Sequence, residues 1–560
     1  MLESTDPYKP DFAPNAWTER DRYYLEPFVT NPDGLVTALR NLPPELAGAL
    51  CSRASRANGS LTEVLLREYI YPIADGEDKE LAGELEQAIK LVREHGFAKI
   101  LNNQRAQQFY AKWLSQYGDD SIAQMTGSHI LLWGVSQVAM KFIEDQRIGL
   151  EPIEKSTRYV NFGNKVGGRY LYYIPKPDLE KAGLLKEYRD TLDYLFDTYT
   201  SLLEPLKEWL GKNFDDKPSV LEKKAFDTLR GLLPAATLGQ VAFRGNAQAF
   251  EYLMNRTAKH PLGELRWLSG ALKQELDKEI PSLLLRLNDE PAQKYQSYLS
   301  ERYRLAQAAI VKTEPEWKEK LLVRGTKPEV KLVEYDPDGE TKILAGIIFK
   351  ETHADWKTAY DLAESLTLAE KKGLFGAYLS GRTARWHKVG RAFENSYMRF
   401  EITMDLGAYR DLHRHRMMTQ ERQLFSCHHG YGVPAELKEA KLDGAYRVAL
   451  DRAEKLFMQL EQHDRELAQY AVPLAYRVRF YEWQNFRQMF WEAELRTISQ
   501  GHPDYRTIEQ EKYRLVKEKF PLIASFMLVD MADYAIARRG TEEKIAAKEK
   551  EIVEKLQKRS

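Results

Sequence analysis

The chain has 560 residues, with 82 Lys or Arg against 83 Asp or Glu, and a formal net charge of −1 at pH 7. A chain this long normally forms two or more domains, and its balanced charge argues against a polynucleotide partner, which favours a basic excess. Two cysteines are too few for a disulfide framework and indicate a reducing compartment. Residues 1–10 lack the basic and apolar regions of a signal peptide, and no apolar run is long enough to cross a bilayer. We therefore expect a cytoplasmic protein without membrane contact.

A Pro-Asp-Gly turn lies near the start of each half of the chain. Residues 23–42 contain a strand-like run followed by Asn31-Pro32-Asp33-Gly34, and residues 330–347 contain another followed by Asp336-Pro337-Asp338-Gly339. Pro presets φ and Gly accepts φ > 0, so this tripeptide predicts a turn. The shared order of strand and turn indicates that one unit is used twice.

Two further echoes support the repeat. Each half has an Asn, an Arg-Thr pair, a His-Pro pair and then an Arg that follows the Arg-Thr arginine by ten residues. The members are Asn246, Arg256-Thr257, His260-Pro261 and Arg266 in the first half, and Asn485, Arg496-Thr497, His502-Pro503 and Arg506 in the second. Residues 118–160 likewise echo residues 390–426. We therefore place copy one at 18–322 and copy two at 326–560, joined by a linker near residues 324–328.

Helical periodicity dominates both copies. Apolar residues recur with a period of 3.6 in six segments, whereas short strand-like runs stand near the start of each copy. The segments are residues 60–115, 120–145, 180–212, 265–310, 435–475 and 505–540. This pattern predicts a helix-rich α+β fold in two tandem copies.

The densest group of anion-binding side chains lies in residues 409–423. Its fixed cations are Arg410, Arg414, Arg416 and Arg422, and its titratable residues are His413 and His415, which can add charge near neutral pH. The apolar residues Ile402, Leu406, Tyr409 and Leu412 recur at helical spacing. They predict an amphipathic helix with Arg410 and Arg414 on its polar face. A helix that delivers guanidinium groups into the loop at 426–432 is suited to holding phosphate.

Arg414-His415-Arg416 resembles the Arg-His-Arg signature of the flavin-dependent thymidylate synthases. In that family the signature is followed, after seven residues, by Ser-x-Arg, and a Glu stands two residues before the Ser. Copy one carries Glu154-Lys155-Ser156-Thr157-Arg158-Tyr159, which is similar to this second part of the motif. It has Asp145-Gln146-Arg147 where the signature should stand.

Copy two departs from the family motif in the complementary way. It keeps the signature but has Arg422, Leu424 and Ser426 at the family's Glu, Ser and Arg positions. In the family, the active site lies between subunits of a homotetramer, with the signature and the Ser-x-Arg loop supplied by different chains. The resemblance therefore implies a composite site in which Ser156 and Arg158 of copy one close over the signature of copy two. It also implies a homodimer that imitates the tetramer.

The resemblance implies an FAD-dependent thymidylate synthase that reductively methylates dUMP to dTMP. Methylenetetrahydrofolate would supply the one-carbon unit and NADPH the reducing equivalents, while the protein orients the reactants and neutralises charge. The residues implied for flavin binding are Arg414, His415, Arg416, Glu394, Asn395 and Asn485, where Asn395 replaces a His of the family. Those implied for substrate binding are Glu154, Ser156, Arg158, Arg487 and Arg506, and the catalytic assignments are Arg414 and Arg506.

Other interpretations of these residues are open. Cys427 adjoins two histidines and could be a nucleophile, but a lone Cys is more often a packing residue. His413 and His415 are two residues apart on a predicted helix and point away from each other, so we expect no metal site. Asn246 and Asn485 are equally compatible with helix capping and with ligand contact. The whole chain could also be a non-catalytic relative that binds flavin or nucleotide, or a structural protein that keeps only the fold.

Overall fold

The computed structural model of the chain combines many helices with a few short strands. It describes residues 6–12, 15–96, 103–117, 120–313, 327–534, 536–537, 547–552 and 554–555. The predicted boundary between the copies, from 322 to 326, lies outside these residues. Within them, no helix has the length and apolar character needed to span a membrane.

Two four-stranded antiparallel sheets repeat one strand order. The first contains β1 (Val36–Leu39), β2 (Gly127–Val135), β3 (Leu150–Glu154) and β4 (Gly239–Asn246), in the order β1-β2-β4-β3. The second contains β5 (Glu329–Tyr335), β6 (Tyr397–Asp405), β7 (Thr419–Arg422) and β8 (Arg477–Asn485), in the order β5-β6-β8-β7. The register repeats too, because Gly127 pairs with Asn246 and Tyr397 with Asn485. The predicted fold class, a helix-rich α+β fold that occurs twice, is confirmed.

The strands β4 and β8, which hold the same place in the two sheets, each end in an asparagine, and a helix begins directly after it. The Asn246 side chain accepts a hydrogen bond from the Ala249 amide at 2.8 Å, at the start of the helix Ala247–Thr257. The Asn485 side chain accepts one from the Gln488 amide at 2.9 Å, at the start of the helix Phe486–Arg496. Asn is a favoured N-cap because its side chain satisfies an otherwise unbonded amide of the first turn. Both asparagines therefore cap helices.

The chain forms two compact units that do not follow chain order. Unit one comprises Met1–Glu204, Leu232–Val323 and Leu442–Pro473, and unit two comprises Pro205–Gly231, Arg324–Lys441 and Leu474–Ser560. The α-helices of unit one are Glu19–Leu25, Pro44–Ser52, Leu61–Val64, Tyr71–Ala74, Lys79–His95, Asn103–Tyr117, Gln137–Glu144, Lys176–Ala182, Ala247–Thr257, Gly263–Leu276, Glu290–Thr313, Asp443–His463 and Arg465–Ala468. Those of unit two are Pro218–Leu229, Gly339–Glu351, Trp356–Ser365, Leu368–Leu379, Leu406–Leu412, Ala435–Glu439, Phe486–Arg496, Pro503–Lys519 and Pro521–Ala524. The helix Leu185–Asn213 contains Pro205, the first residue of unit two.

Each unit contains a segment that comes from the other half of the chain. In unit one, the Ala235 amide donates to the Val472 carbonyl at 2.8 Å, and the Ala236 amide donates to the Tyr470 carbonyl at 3.0 Å. In unit two, the Ala475 amide donates to the Gly231 carbonyl at 3.0 Å. The two halves are thus each completed by backbone hydrogen bonds to a segment of the other.

Separate expression of residues 1–325 and 326–560 is expected to give two unstable fragments. The helix Asp443–His463 buries Tyr446, Leu450, Leu456, Phe457 and Leu460, which together contribute about 7–15 kcal/mol at the usual value for a large apolar side chain. This is comparable to the whole stability of a domain. Co-expression of the fragments should restore cooperative thermal unfolding, followed by circular dichroism. A single fragment that unfolds like the intact chain would contradict the expectation.

Several predicted segments differ from the structure, and three of them are as follows. Residues 120–145 are not one helix, because β2 lies inside them. As a central strand, β2 is buried on both faces and shows a nearly continuous apolar run without a clear period. The segment 505–540 is helical only to Lys519, with one further turn at Pro521–Ala524. Before the first Pro-Asp-Gly turn, the chain forms the helix Glu19–Leu25, and its strand β1 follows the turn.

The apolar stripe before the signature was also predicted wrongly. Ile402 belongs to β6, where Met398, Phe400, Ile402 and Met404 alternate inward with period two. The helix begins only at Leu406. Arg410 is buried rather than on a solvent face. After the signature the chain enters β7 before it reaches the predicted loop.

Unit one should lose stability as pH rises through neutrality, in part because of Glu264. This carboxylate is fully buried and accepts bonds from the Ser136 amide at 2.8 Å and hydroxyl at 2.6 Å, and from the Tyr470 hydroxyl at 2.8 Å. Burial raises its pKa to about 7, against 4.5 for a free Glu. The folded state therefore holds a proton that the unfolded state has released, and its stabilisation is lost as pH passes 7.

The Glu264→Gln variant is the control for this prediction because it cannot titrate. The difference in unfolding free energy between the natural protein and the variant should fall by about 2 kcal/mol between pH 5 and 8, by proton linkage. Urea unfolding at several pH values measures it. A difference that is constant over this range would contradict the assignment.

Candidate functional site

The Arg-His-Arg signature lies on the connection between a short helix and an edge strand of unit two. The helix Leu406–Leu412 is capped by Asp405, whose carboxylate accepts from the Ala408 amide at 2.7 Å. The signature follows the helix directly and precedes β7. The helix C-terminus favours nearby cations through its dipole. Arg414 is exposed, and its Nη2 donates to Asp411 Oδ1 at 2.7 Å.

His415 is locked in the interior by two side chains from the helix Phe486–Arg496. Arg496 Nε donates to His415 Nε2 at 2.7 Å, and Gln488 contacts His415 Nδ1 at 3.2 Å. Burial lowers the pKa of His415 to about 3. The charge of Arg496 also acts to lower this pKa, whereas the charge of Glu492 acts to raise it. His415 is therefore neutral at physiological pH, and the expectation that it adds positive charge is wrong. It can act instead as a fixed neutral wall of the site.

The structure brings together Glu394 and Arg487, which the sequence assigned to flavin and substrate respectively. Arg487 Nη1 and Glu394 Oε1 are 2.5 Å apart. Glu394 ends a 3₁₀ helix, Arg391–Glu394, and Arg487 lies in the first turn of the helix Phe486–Arg496. Asn395 follows Glu394, and its side-chain amide donates to the Ala392 carbonyl at 2.9 Å. This ion pair therefore joins the 3₁₀ helix to the helix that Asn485 caps.

The Ser-x-Arg loop lies in unit one, directly after β3. Ser156 Oγ accepts from the Arg158 amide at 3.2 Å, so the hydroxyl shapes the turn. Arg158 is buried. Glu154 Oε1 is 3.1 Å from Lys141 Nζ in the interior. Burial also lowers the pKa of Lys155, between these residues, to about 8.

Arg506 is buried among backbone groups of unit two. Its Nε donates to the Thr497 carbonyl at 2.9 Å, and its Nη2 donates to the Ala532 carbonyl at 2.6 Å. Its echo in unit one, Arg266, donates through Nη1 to the His260 and Pro261 carbonyls, both at 2.6 Å. In both units this arginine binds backbone carbonyls, and a ligand role for Arg506 stays a prediction.

A buried ionic cluster, which the sequence analysis missed, supports the signature region. Lys512 Nζ lies 2.6 Å from Glu482, 3.0 Å from Glu492 and 3.1 Å from Glu509, and all four side chains are fully buried. Within the described chain, Glu492 Oε1 and Glu509 Oε2 have no hydrogen-bond partner. Gln420, on β7, donates to Glu482 Oε1 at 3.0 Å. The cluster thereby ties β7 and β8 to two helices.

One ammonium group cannot neutralise three carboxylates. Burial raises the pKa of Glu482 to about 7, and burial also raises that of Glu509 well above its usual range. Burial acts to raise the pKa of Glu492 as well, but the nearby basic side chains, Lys512 foremost, together lower it. The cluster therefore holds at least one proton on a carboxyl group at neutral pH.

Unit one has apolar residues at two of the corresponding places. Phe243 holds the register position of Glu482, and Leu272 holds the helix position of Lys512. The sequence signal was weak, because Glu509 and Lys512 stand three residues apart like a pair on a solvated helix face. The contrast between the copies at these positions would have been the better signal.

Comparisons with known proteins cover nearly all of the chain. The model of a family described as thymidylate synthase complementing protein, Thy1, matches residues 79–282 and 331–522. A UPF0159 protein of Chlamydia pneumoniae is 36% identical over 541 residues, covering 94% of this chain and 97% of the relative. A UPF0159 protein of Thermoplasma acidophilum is 30% identical over 478 residues, covering 79% and 92%. A solved structure, described as a UMP/dUMP methylase PolB from Streptomyces cacaoi bound with 5-Br dUMP, is 17% identical, with a TM-score of 0.28, and covers 36% of this chain and 96% of that one.

Proposed function

Because the chain belongs to the thymidylate synthase complementing protein family, we propose that it is an FAD-dependent thymidylate synthase. The proposed reaction is the reductive methylation of dUMP to dTMP with methylenetetrahydrofolate and NADPH. The observation that carries the proposal is the signature in unit two, whose central His415 is fixed by Arg496 at 2.7 Å and by Gln488 at 3.2 Å. A side chain held this way has a defined position for a ligand, which is what catalysis by orientation requires.

The groups of the signature region fit a flavin dinucleotide. A pyrophosphate is an anion that arginine forks bind with paired hydrogen bonds, and Arg414 and Arg416 supply such forks beside a neutral ring, His415. Glu394 holds Arg487 in place at the neighbouring helix start. When bound, the flavin would supply the reducing equivalents. The assigned flavin residues Asn395 and Asn485 already donate to or accept from backbone groups, which leaves each with its other amide atom for a ligand.

The nucleotide residues are assigned from the family resemblance. Ser156 and Arg158 would bind the dUMP phosphate, and Glu154 is held beside them by Lys141. Arg487 and Arg506 would reach the same substrate, and Arg414 would neutralise charge that develops on the pyrimidine. The composite site and the homodimer that imitates a tetramer are parts of this proposal.

A second candidate is a relative that binds flavin or nucleotide without catalysis. Leu424 and Ser426 stand where the family has Ser and Arg, and the guanidinium of Arg506 is bound to two backbone carbonyls. These observations favour a site that keeps its scaffold but has lost substrate contacts.

The visible spectrum of the purified protein, with and without dUMP, tests both candidates. Bound flavin with a dUMP-dependent change, and release of tritium from C5-labelled dUMP in the presence of folate and NADPH, would support the synthase. Flavin without tritium release would support the non-catalytic relative, and failure to bind either FAD or dUMP would contradict both. In the synthase, Arg158→Ala and Arg414→Ala should each weaken nucleotide binding, and retention of binding in either variant contradicts the composite site.

A further inference from the structure

Unit one contains a cavity of about 780 Å³ at the start of β3 and the helix Ala247–Thr257. This volume is in the range of sites for small molecules and cofactors. Its wall includes the amide side chains of Gln124, Gln146 and Gln248, the capping Asn246, and the rings of Tyr252 and Tyr295. All of these residues belong to unit one.

The first of two side-chain pairs relates this cavity to the signature region of unit two. Gln124 Nε2 donates to Gln248 Oε1 at 2.9 Å. Gln248 follows its capping asparagine by two residues, as Arg487 does in unit two, and Gln124 ends a 3₁₀ helix, as Glu394 does. A neutral amide pair in unit one thus takes the place of the Arg487–Glu394 ion pair, whose atoms are 2.5 Å apart.

The second pair involves the signature itself. Arg256 Nη1 donates to Gln146 Oε1 at 3.5 Å, as Arg496 donates to His415 at 2.7 Å in unit two. Gln146 lies in the stretch 145–147 that stands where copy one should have its signature. The cavity therefore occupies the counterpart of the signature region, with the ion pair of Arg487 and Glu394 replaced by two amides and with His415 replaced by Gln146.

The charge on the cavity wall disfavours a phosphate. The lining contains two carboxylates, Glu251 and Asp289, and one guanidinium, Arg286. Arg286 is bound to Glu251 through Nε at 2.8 Å and Nη2 at 2.7 Å. Because this fork is already matched to a carboxylate, a phosphate would meet a wall of net negative charge and lose its hydration without compensation.

The remaining groups suit a flat ring with polar edges. Tyr252 and Tyr295 both line the cavity and are 37% and 40% exposed. Aromatic side chains stack on heteroaromatic rings of many kinds, because every such ring has a π-face. Glutamine and asparagine amides carry both a donor and an acceptor, so they can pair with the edge of such a ring.

We propose that the cavity of unit one binds a planar heteroaromatic compound without a phosphate, of the class of nucleosides and unphosphorylated flavins. The stacking surfaces are Tyr252 and Tyr295, and the polar recognition is by Gln146 and Gln248. None of the residues that line the cavity is assigned to the proposed thymidylate site, so this proposal stands whether or not that one holds.

Calorimetric titration of the full-length protein tests the proposal with two matched ligand pairs, uridine against UMP and riboflavin against FMN. An Arg414→Gln, Arg487→Gln background removes two of the cations that the proposed function assigns to unit two. In this background, uridine or riboflavin, or both, should bind at one site per chain. Each compound that binds should do so at least about ten-fold tighter than its phosphorylated partner, UMP or FMN. Gln248→Leu or Tyr252→Ala should weaken this binding by about ten-fold through the loss of a hydrogen-bonding or a stacking group. Thermal unfolding checks that the variants fold, and Tyr252, being exposed, is the safer substitution.

Three results would overturn the proposal. They are failure of both uridine and riboflavin to bind, binding that neither unit-one variant weakens, and binding in which the phosphate makes no difference. The Gln248→Arg variant tests the opposite change, a gain of affinity for phosphorylated ligands. The added guanidinium should tighten UMP or FMN relative to its unphosphorylated partner by about ten-fold, because a charge-assisted hydrogen bond becomes available. An equal change for both members of a pair would contradict the role assigned to charge.

Discussion

Replacing Lys512 with Met should lower the free energy of unfolding by about 3–5 kcal/mol, the usual cost of leaving a buried ion pair with one partner. Glu482, Glu492 and Glu509 would remain in the interior without the ammonium group that now lies 2.6–3.1 Å from each of them. Met preserves the length and apolar stem of the side chain, so the change removes charge with little change in volume. Urea unfolding followed by circular dichroism measures the loss.

The matched control is Lys519→Met, in the same helix. Lys519 is solvent-exposed and pairs with Glu518 at 2.6 Å, and such surface pairs contribute between about 0 and 1 kcal/mol. A variant with Lys512→Met and all three carboxylates changed to Gln should recover most of the stability, because no buried charge is left uncompensated. A Lys512→Met protein as stable as the natural one would contradict the role of the cluster.

The loss should also depend on pH with a defined sign. Without Lys512, the pKa values of all three carboxyl groups rise, so the folded state binds protons that the unfolded state releases above about 4.5. The stability of Lys512→Met should therefore fall as pH rises from 5 to 8, more steeply than that of the natural protein. A steeper fall toward acid pH would contradict the assignment of the retained proton to Glu482 and Glu509.

For the proposed thymidylate synthase, replacing Arg414 with Gln should reduce turnover of dUMP by about 10²-fold, the typical effect of removing one charged group that stabilises a transition state. Flavin should also be retained less well, because a guanidinium fork to an anion is lost. The structural cost should be small, since Arg414 is exposed and pairs with Asp411 at 2.7 Å, and ion pairs of exposed side chains contribute between about 0 and 1 kcal/mol. Tritium release from labelled dUMP and the visible absorbance of bound flavin are the two measurements.

Arg514→Gln is the matched control for this prediction. Arg514 is exposed in unit two and pairs with a carboxylate three residues away, Glu511, at 2.8 Å, much as Arg414 pairs with Asp411. The control should leave both measurements unchanged. If Arg414→Gln retains full flavin content and turnover, the signature does not carry the proposed function.

The local motifs were predictable because they depend on a few residues at fixed spacing. The alignment of Arg256 with Arg496 from the echoes is confirmed by their matched partners, Gln146 and His415. The Pro-Asp-Gly turn before Gly339 is likewise present, with the Gly339 amide donating to the Asp336 carbonyl at 3.0 Å. Such features are local, so the sequence contains nearly all the information that determines them.

The protonation state and burial of charged side chains were not predictable from local sequence. His415 was expected to add positive charge, yet burial lowers its pKa to about 3. Lys512 and Glu509 have the spacing of a solvated pair but lie in the core. The period and composition of a helix do not indicate which of its charged faces packs against another element. The free energy of desolvating a charged side chain depends on that packing partner, so local sequence does not predict it.

By itself, the sequence determined the family motif, the repetition of the fold and the residue substitutions that distinguish the two copies. Only the tertiary structure decided that Leu442–Pro473 belongs to unit one and Pro205–Gly231 to unit two. Only the structure also showed that the amide pair of Gln124 and Gln248, beside the cavity of unit one, corresponds to the ion pair of Arg487 and Glu394 in unit two. The physical reason is that these outcomes depend on contacts between residues more than a hundred positions apart, and their energies arise from burial and charge compensation that no local pattern encodes.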